Sequence, residues 1–483
     1  MRTFSIERAT YWIVVALVVA IASRIPLDTD TWWHLRSAEH TLTEGMIYTD
    51  PFSHTLLGER WINHSWGSQI VLYGMHQVLG DTGLALYTAV LATLGTMFLF
   101  PVMSGNIYIK AFLLCLVAAS ASVFWSARPQ MFSFLLSTIT IYLLYNAKQN
   151  GKTRALWAIV PMMALWGNLH AGYTIGFIFI GAFIVGEAFN AFFTTGSETL
   201  GMKGVRQLVI ITVLAALALL INPYGMDTWR VPFETVGLDV LRQYIQEWNS
   251  PNFQRRETWG FIAMILLTLW GAWTSTTRFD WTNFFMFGGT LFLALLYGRN
   301  IAVFAVAVAP TMSLFVHNAL EQRGWVIVPR RPTPRTVRLN LFLVGVVWFG
   351  VAVYVLGAVW SPIAVKQAQE RFLPVNVANF IRETQPTGNM FNSYNWGGYL
   401  MFALPEYPVF VDGRTDLYGE FVREWLFITN ATTDVEADLD KYGIGFVVIE
   451  KGISLDYALR VSPLWEEVYR DEMAVVFTRR NGS

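Results

Sequence analysis

The feature that most constrains this chain is its succession of apolar runs long enough to cross a bilayer. Runs near 9–26, 83–103, 107–125, 129–146, 154–168, 171–193, 206–222, 258–276, 281–297, 300–320 and 339–361 read as about eleven membrane-spanning helices. Several approach the lower limit of roughly 17 residues for a crossing. Composition agrees: 54% of residues are hydrophobic and 14% charged, where a soluble domain carries about a quarter charged. A formal net charge of +0 points to neither a nucleic-acid nor an acidic partner. Several of the 20 Trp sit at predicted helix ends, where an amphipathic ring favours the interface. Cys115 is the only cysteine, which excludes an intrachain disulfide and a cysteine-based metal cluster.

The first run follows Arg2 and Arg8 and ends in the small residues Val19-Ala-Ile-Ala-Ser23. That ending also suits a cleaved signal peptide, but the many later spans favour an uncleaved first helix. Lys and Arg in short loops set the orientation. Arg2/Arg8, Lys110, Lys148/Lys152/Arg154, Lys203/Arg206, Arg278 and the basic stretch Arg323–Arg338 fall on one side, which is then the cytoplasm. Residues 328–338 read as a basic linker near anionic headgroups. The other side receives residues 27–82, residues 223–257 and the tail from about 362, with Arg24, Arg36, Arg255 and Arg256 as exceptions to the bias. Within 27–82, residues 66–79 have apolar side chains at helical spacing, suited to the interface plane.

From about residue 371 the pattern changes. Strand-like runs at Pro408–Val411, Gly445–Glu450 and Ala474–Phe477 alternate with helix-like runs at Val375–Glu383, Val435–Tyr442 and Leu455–Arg460. Turn signals such as Gly397-Gly398 and Asp412-Gly413 separate them. The expected fold class is therefore an α-helical polytopic membrane protein, residues 1–361, carrying an extracytoplasmic α/β domain at 362–483. The tail, at roughly a hundred residues, is large enough for its own core.

Ionisable groups near spans are expensive, so their distribution is informative. Those of note gather at the outer ends. They are Asp28, Asp30, His34, His54 and His64 in the first loop, and Arg128 and Gln130 at a later turnaround. Asn168, His170, Asn222, Glu247, Arg299 and Asn300 follow in further outer loops. Loops far apart in sequence thus offer acids, imidazoles, amides and guanidinium groups to one surface, the makeup of a site at a membrane interface. Outer loops are polar in any case, so a single His means little. Two acids directly after an apolar helix, beside Trp32-Trp33-His34, mean more.

Several segments carry a resemblance. They are Asp28-Thr-Asp30-Thr-Trp-Trp-His-Leu-Arg36, Tyr48-Thr-Asp-Pro-Phe-Ser53, Trp61-Ile-Asn-His64, Arg128-Pro-Gln130 and Trp166-Gly-Asn-Leu-His170. Asn222-Pro-Tyr-Gly225, Glu247-Trp-Asn-Ser-Pro251, Asn392-Ser-Tyr-Asn-Trp-Gly-Gly-Tyr399 and Val411-Asp-Gly-Arg414 continue the series. In their order and shared sidedness these resemble bacterial membrane proteins of the GT-C glycosyltransferase superfamily, over almost the whole chain. The resemblance implies an enzyme of the bacterial inner or plasma membrane that serves the cell envelope. Such enzymes take a hexosyl or pentosyl group from a polyprenyl-phosphate or pyrophosphate carrier and transfer it outside the cytoplasm, usually with inversion. It also implies that an acidic residue just after the first helix serves the reaction, and Asp30 looks like that residue, with Asp28 as support or substitute. Asp30-Thr-Trp-Trp-His-Leu-Arg36 is also similar to the Asp-Pro-Trp-Phe-Asn-Tyr-Arg pattern of oligosaccharyltransferase catalytic subunits. Tyr244-Ile-Gln-Glu247-Trp resembles their outer-loop segment with a catalytically important Glu. Those enzymes place a second acidic pair near the Arg128-Pro-Gln130 turnaround, and here there is none. The departure favours single-sugar transfer over asparagine glycosylation.

The chemistry suits these residue types. An attacking hydroxyl must lose a proton, which a carboxylate can take. The leaving phosphate develops charge that Arg, His or backbone N–H groups stabilise. Arg128 suits that role, with Arg299 second, because Pro129 favours the first turn of a helix whose N-terminus itself attracts phosphate. The plainer reading of Arg128 is a side chain snorkelling to headgroups. His34, Arg128, Gln130, His54, His64, His170, Arg299, Asp412 and Arg414 are the candidate substrate contacts, and Asp30, Asp28 and Glu247 the candidate catalytic groups. Asp30, His34 and Glu247 could instead hold Mg²⁺, Mn²⁺ or Zn²⁺, without diagnostic spacing. His54 and His64 suit ligation, acceptor contact or loop fastening equally. Asp412-Gly-Arg414 suits an acceptor contact or a turn with a local ion pair. Asn63-His-Ser65 and Asn430-Ala-Thr432 match a glycosylation acceptor triplet that also arises by chance. From another class, a transporter or lipid flippase would place its site near the midplane, at a broken helix such as one at Trp166–Gly172.

Overall fold

The computed structural model describes residues 4–193, 198–237, 246–327 and 332–480. The beginning of the Tyr244-Ile-Gln-Glu247 segment and residues 328–331 of the basic linker lie outside the described residues. The chain begins with α1 (Ile6–Ala22), α2 (Asp30–Thr43), α3 (Trp66–Leu79), α4 (Asp81–Leu99), α5 (Ile107–Ala121), α6 (Gln130–Asn150) and α7 (Ile159–Leu169). It continues with α8 (Tyr173–Phe192), α9 (Gly201–Ala218), α10 (Val231–Gly237), α11 (Trp259–Thr274), α12 (Trp281–Leu296), α13 (Ile301–Glu321) and α14 (Pro334–Tyr354). The tail holds α15 (Pro362–Phe372), α16 (Val375–Thr384), β1 (Asn389–Asn392), α17 (Tyr394–Ala403), α18 (Thr415–Tyr418), α19 (Phe421–Thr429) and α20 (Val435–Lys441). It closes with β2 (Ile444–Glu450), α21 (Ser454–Val461), β3 (Trp465–Arg470) and β4 (Ala474–Arg479).

A helix stands at each of the eleven positions read as spans. By length and composition, 6 segments among the described residues are long and apolar enough to cross a membrane: Asp81–Val102, Ile107–Phe124, Tyr173–Phe192, Gly201–Ala218, Gly298–Glu321 and Pro334–Val359.

The chain divides into two units. The first, the membrane unit, comprises Met1–Arg24, Ala85–Gly225 and Ile245–Trp360. Its centre is α13, which packs on α5, α11 and α12 and is buried along nearly its whole length. Small side chains at Ala302, Ala305, Ala307 and Ala309 let neighbouring backbones approach, the usual way helices pack where lipid is as apolar as the core. α14 pairs with α1 and leaves most of its apolar surface exposed, as a lipid-facing helix does. At the crossing of α8 and α12, a Cβ on Gly186 would come within 2.4 Å of the Thr282 Cα, so only glycine fits.

The second, the loop–tail unit, comprises Ile25–Leu84, Met226–Tyr244 and Ser361–Ser483. It is built on a 4-stranded sheet of order β1-β2-β4-β3, with β1 parallel to β2 and the other pairs antiparallel. Successive residues of β2 face opposite ways. Phe446 and Val448 join one core, and Val447 and Ile449 the other. Both faces are covered, which is why β2 reads as a continuous apolar run. The first core is completed by Trp33, Ile47, Phe52 and Trp61 from the first loop. That loop is stitched to the tail by the backbone. Val409 N–H donates to Phe52 O at 3.1 Å, and His54 N–H donates to Val409 O at 3.1 Å.

The run 408–411 is corrected: it forms no regular strand but a single parallel bridge, Ser53 to Val409. Its strand-like composition serves burial, since Val409, Phe410 and Val411 are all fully buried. The strands β1 and β3 carried no clear sequence signal. β1 is four residues, and β3 is mostly exposed, so neither shows an apolar alternation.

Candidate functional site

In the loop–tail unit the Asp28-Thr-Asp30 turn starts α2. Asp28 Oδ1 accepts from the Asp30 N–H at 3.0 Å, so one acid satisfies the backbone beneath the other. Asp30 is the first residue of a 14-residue helix, where the dipole favours a carboxylate. Both acids are half-buried and keep part of their surface open. The next turn is anchored inward: Trp32, Trp33 and His34 are buried. Gln69 of α3 donates to His34 Nδ1 at 3.1 Å and exchanges hydrogen bonds of 2.7 and 2.8 Å with Asn63. His34 therefore holds α2 against α3, and Asn63 is buried and paired rather than offered as a glycosylation acceptor.

Two glycine-bearing motifs of the tail meet the start of α2. A Cβ on Gly398 would lie 2.8 Å from Thr29 O, and one on Gly397 would lie 2.0 Å from Val411 O. The pair thus lets α17 press on both α2 and the 411–412 backbone. Beside them lies a buried charge cluster. Arg414 donates from Nε and Nη2 to the two oxygens of Asp412 at 2.9 and 2.7 Å, and from Nη1 to Asp50 Oδ1 at 2.6 Å. Tyr418 donates to Asp412 Oδ2 at 3.0 Å, and Asp50 Oδ2 accepts from the Ser53 hydroxyl at 2.5 Å. The guanidinium also stacks 4.7 Å from the Trp61 ring centre. Burial alone would lower the Arg414 pKa, but the Asp412 and Asp50 carboxylates hold it well above its ordinary value. Burial, reinforced by Asp412, pushes the Tyr418 hydroxyl up.

Asp412 and Arg414 were expected as substrate contacts. Both side chains are 0% exposed and spent on each other and on Asp50, so they clamp the first loop to the tail. Asp50 was not singled out; its only signal was its place in the Tyr48–Ser53 segment.

His54 and His64 are fasteners. His54 Nε2 donates to Met390 O at 3.0 Å. His64 Nδ1 stands 3.8 Å from Asp416 Oδ2, which accepts from Trp61 Nε1 at 3.1 Å. Burial lowers the pKa of His54, and lowers that of His64 against the pull of Asp416. Nearby, a polar cavity of about 160 Å³ is lined by Arg60, Trp61, Asp227, Arg230, Glu234 and Asp416.

In the membrane unit the turn carrying Arg128 is held from two sides. Tyr87 donates to Arg128 O at 3.0 Å, and Gln130 Nε2 donates to Phe124 O at 2.8 Å. Gln130 is therefore a buried support of that turn. Trp166 Nε1 donates to Ser133 Oγ at 2.8 Å, and His170 Nδ1 lies 2.8 Å from the same hydroxyl. The Gly172 N–H also donates to His170 Nδ1, at 3.0 Å. With Nδ1 accepting, the network assigns the ring proton to Nε2. Arg299 and Glu247 come from different loops and meet at 3.6 Å, with Arg299 over the Trp248 ring at 4.5 Å. Gly298 N–H donates to Asn249 O at 2.8 Å and ties the two loops together. Arg128 is near enough to Arg299 for the two positive charges to act on each other. Two interacting guanidinium groups, with Arg299 meeting the Glu247 carboxylate, make a locally positive spot suited to an anion. Among the described residues, no three His, Cys, Asp or Glu side chains gather as a metal site.

No family model matches the sequence, and no curated protein matches it. Solved structures do match. One is the archaeal oligosaccharyltransferase AglB from Archaeoglobus fulgidus, in complex with an inhibitory peptide and a dolichol-phosphate. It aligns at TM-score 0.58 and 12% identity, over 92% of this chain and 69% of that one. Another is ArnT from Cupriavidus metallidurans bound to undecaprenyl phosphate, at TM-score 0.50 and 14% identity, over 98% of each chain. The chain thus has the polytopic membrane fold of GT-C glycosyltransferases.

Proposed function

We propose that this protein is a membrane glycosyltransferase that moves one sugar, hexosyl or pentosyl, from a polyprenyl-phosphate donor to an extracytoplasmic acceptor, with inversion. The acceptor is a glycan, lipid or protein of the cell envelope. The observation that carries the reading is Asp30, a part-exposed carboxylate at the first position of α2 in a GT-C fold. In the reaction, the acceptor oxygen bonds to the anomeric carbon while Asp30 takes its proton. The bond from that carbon to the phosphate oxygen breaks, and the phosphate leaves with the electron pair. The Arg128 and Arg299 guanidinium groups are suited to the charge that phosphate gains. The lipid phosphates bound by AglB and ArnT are of the proposed donor class. A divalent cation, if used, would find Asp28 and Asp30 as hard oxygen ligands on one turn.

The test is native mass spectrometry of the purified full chain, comparing lipids bound to the wild type and to Asp30→Asn. A polyprenyl-phosphate sugar accumulating on the variant supports the reading and identifies the donor. A pyrophosphate-linked glycan would replace it with oligosaccharyltransferase-like transfer. Bulk phospholipid alone in both, with donor loss during extraction excluded, would overturn the enzyme reading in favour of a transporter or flippase.

A further inference from the structure

Resting on the reading of Asp30 as the base, we propose that Gly413 is the positioning residue that sets the Asp30 carboxylate. Gly413 does not have the positive φ that favours glycine elsewhere in this chain. Its backbone would accept any residue, so the requirement for glycine is one of space. A Cβ on Gly413 would lie 1.9 Å from Asp30 Oδ1 and 3.0 Å from Asp30 Cγ. The carboxylate therefore occupies the place a side chain would fill. The third neighbour is Trp33 Nε1, at 3.3 Å from the same point. Trp33 is one turn beyond Asp30 on α2 and is buried, so it forms a fixed wall beside the carboxylate.

The seat is held firmly from behind. Asp412 and Arg414 flank Gly413, and each is locked in the buried cluster with Asp50. A surface turn could drift by an ångström, but one whose two neighbours form a buried bidentate pair cannot without breaking that pair. The cluster thus acts on the reaction through Gly413. This gives the Asp-Gly-Arg tripeptide one task in three parts: two charges fix the backbone, and the residue between them leaves room for the acid.

Adding one methyl group at 413 meets chiefly the far end of a single side chain. Alanine there turns the Asp30 carboxylate away and leaves the fold in place. The experiment uses the full chain in lipid nanodiscs. Exposed carboxyl groups are coupled to glycine ethyl ester with a water-soluble carbodiimide at a series of pH values, and Asp28 and Asp30 are read separately by peptide fragmentation. Gly413→Ala is expected to change the rate of Asp30 labelling by about threefold, equivalent to about half a pH unit in its titration, with Asp28 unchanged. Leu455→Ala, a cavity in the second core of the same unit, is the control for general loosening. It lowers the melting temperature and leaves the Asp30 profile as in the wild type. Identical Asp30 profiles in Gly413→Ala and wild type overturn the proposal. So does an equal shift in Leu455→Ala, which would make Gly413 only a packing residue. If Gly413→Ala shifts Asp30 while Asp30→Asn leaves the bound lipids unchanged, the seat stands and the role of Asp30 as base falls. If Asp30→Asn traps a donor and Gly413→Ala labels as wild type, the base stands and the seat falls.

Discussion

Arg414 lies between two carboxylates with no exposed surface, so removing its charge strands both acids in the core. Arg414→Met is expected to cost about 3–5 kcal/mol, read as a lowered melting temperature of the full chain. Arg414→Lys keeps the charge but loses the two-pronged contact with Asp412, and falls between the two. On the proposed mechanism Asp30→Asn keeps the shape and removes the base, so transfer is expected to drop about 10²–10⁴-fold with stability unchanged. The histidines give a pH dependence. His54 and His64 have folded pKa values below their ordinary 6.5, so between those values the unfolded chain binds more protons. Their contribution to stability is present above pH 6.5 and is lost as pH falls below it. Glu450, raised by burial, acts in the opposite direction in the range just above 4.5. A His64→Gln variant, melted at a series of pH values, should lose less stability than the wild type on going from neutral to acid. At this scale the sequence is legible where a side chain stays in contact with water and illegible where pairing decides. Asp30, marked by its place after an apolar helix, keeps part of its surface open. Asp412 and Arg414 looked like surface chemistry because nothing local reveals that Asp50, hundreds of residues earlier, completes their pairing. Gly413 and Gly397 looked like turn signals, because a glycine needed for close approach reads the same as one needed for φ.

Elements were easier to read than their interactions. The helix at 66–79 and the tail helices follow their hydrophobic periodicity, because one buried stripe suffices to place them. Lys148 is instructive. In sequence it is one of the positive charges that mark the cytoplasmic side. In the structure it is buried at the end of α6, donating to Glu187 Oε1 at 2.6 Å on α8 and lying 3.0 Å from Asp280 Oδ2. Asp280 also caps α12, accepting from the Asn283 N–H at 2.8 Å. Glu187 accepts from the Thr282 hydroxyl at 2.6 Å and the Leu200 N–H at 2.7 Å. One ammonium thus holds the ends of three helices. Lys148→Met is expected to destabilise the membrane unit by about 3–5 kcal/mol, and Lys148→Met with Glu187→Gln by less, since fewer charges are stranded. Thermal unfolding in detergent compares the two.

For the whole molecule, the side of the membrane on which the tail lies rests on the bias of Lys and Arg among the loops. With Cys115 replaced by Ser, single cysteines at two exposed positions test it. Lys451→Cys should react with a membrane-impermeant maleimide on intact cells, and Lys152→Cys only after the cells are opened. The reverse pattern would invert the topology. The limit of the sequence at this scale was the extent of the second unit. Residues 27–82 read as a loop of the membrane domain, but Trp33, Ile47, Phe52 and Trp61 belong to a core whose other half is in the tail.

The hydrogen bond from Arg414 to Asp50 spans 364 residues of chain, and that from Thr55 to Phe410 spans 355. At ribosomal speeds of about 5–20 residues per second, the first loop emerges about 20–70 s before the partners it needs. During that interval Trp33, Phe52 and Trp61 have no tail to pack on, and Asp50 has no guanidinium. The Asp30 carboxylate acquires its seat only once the chain has been made as far as Arg414. A chain that stops short of residue 412 would therefore carry its membrane helices yet leave Asp30 without the backbone it rests against.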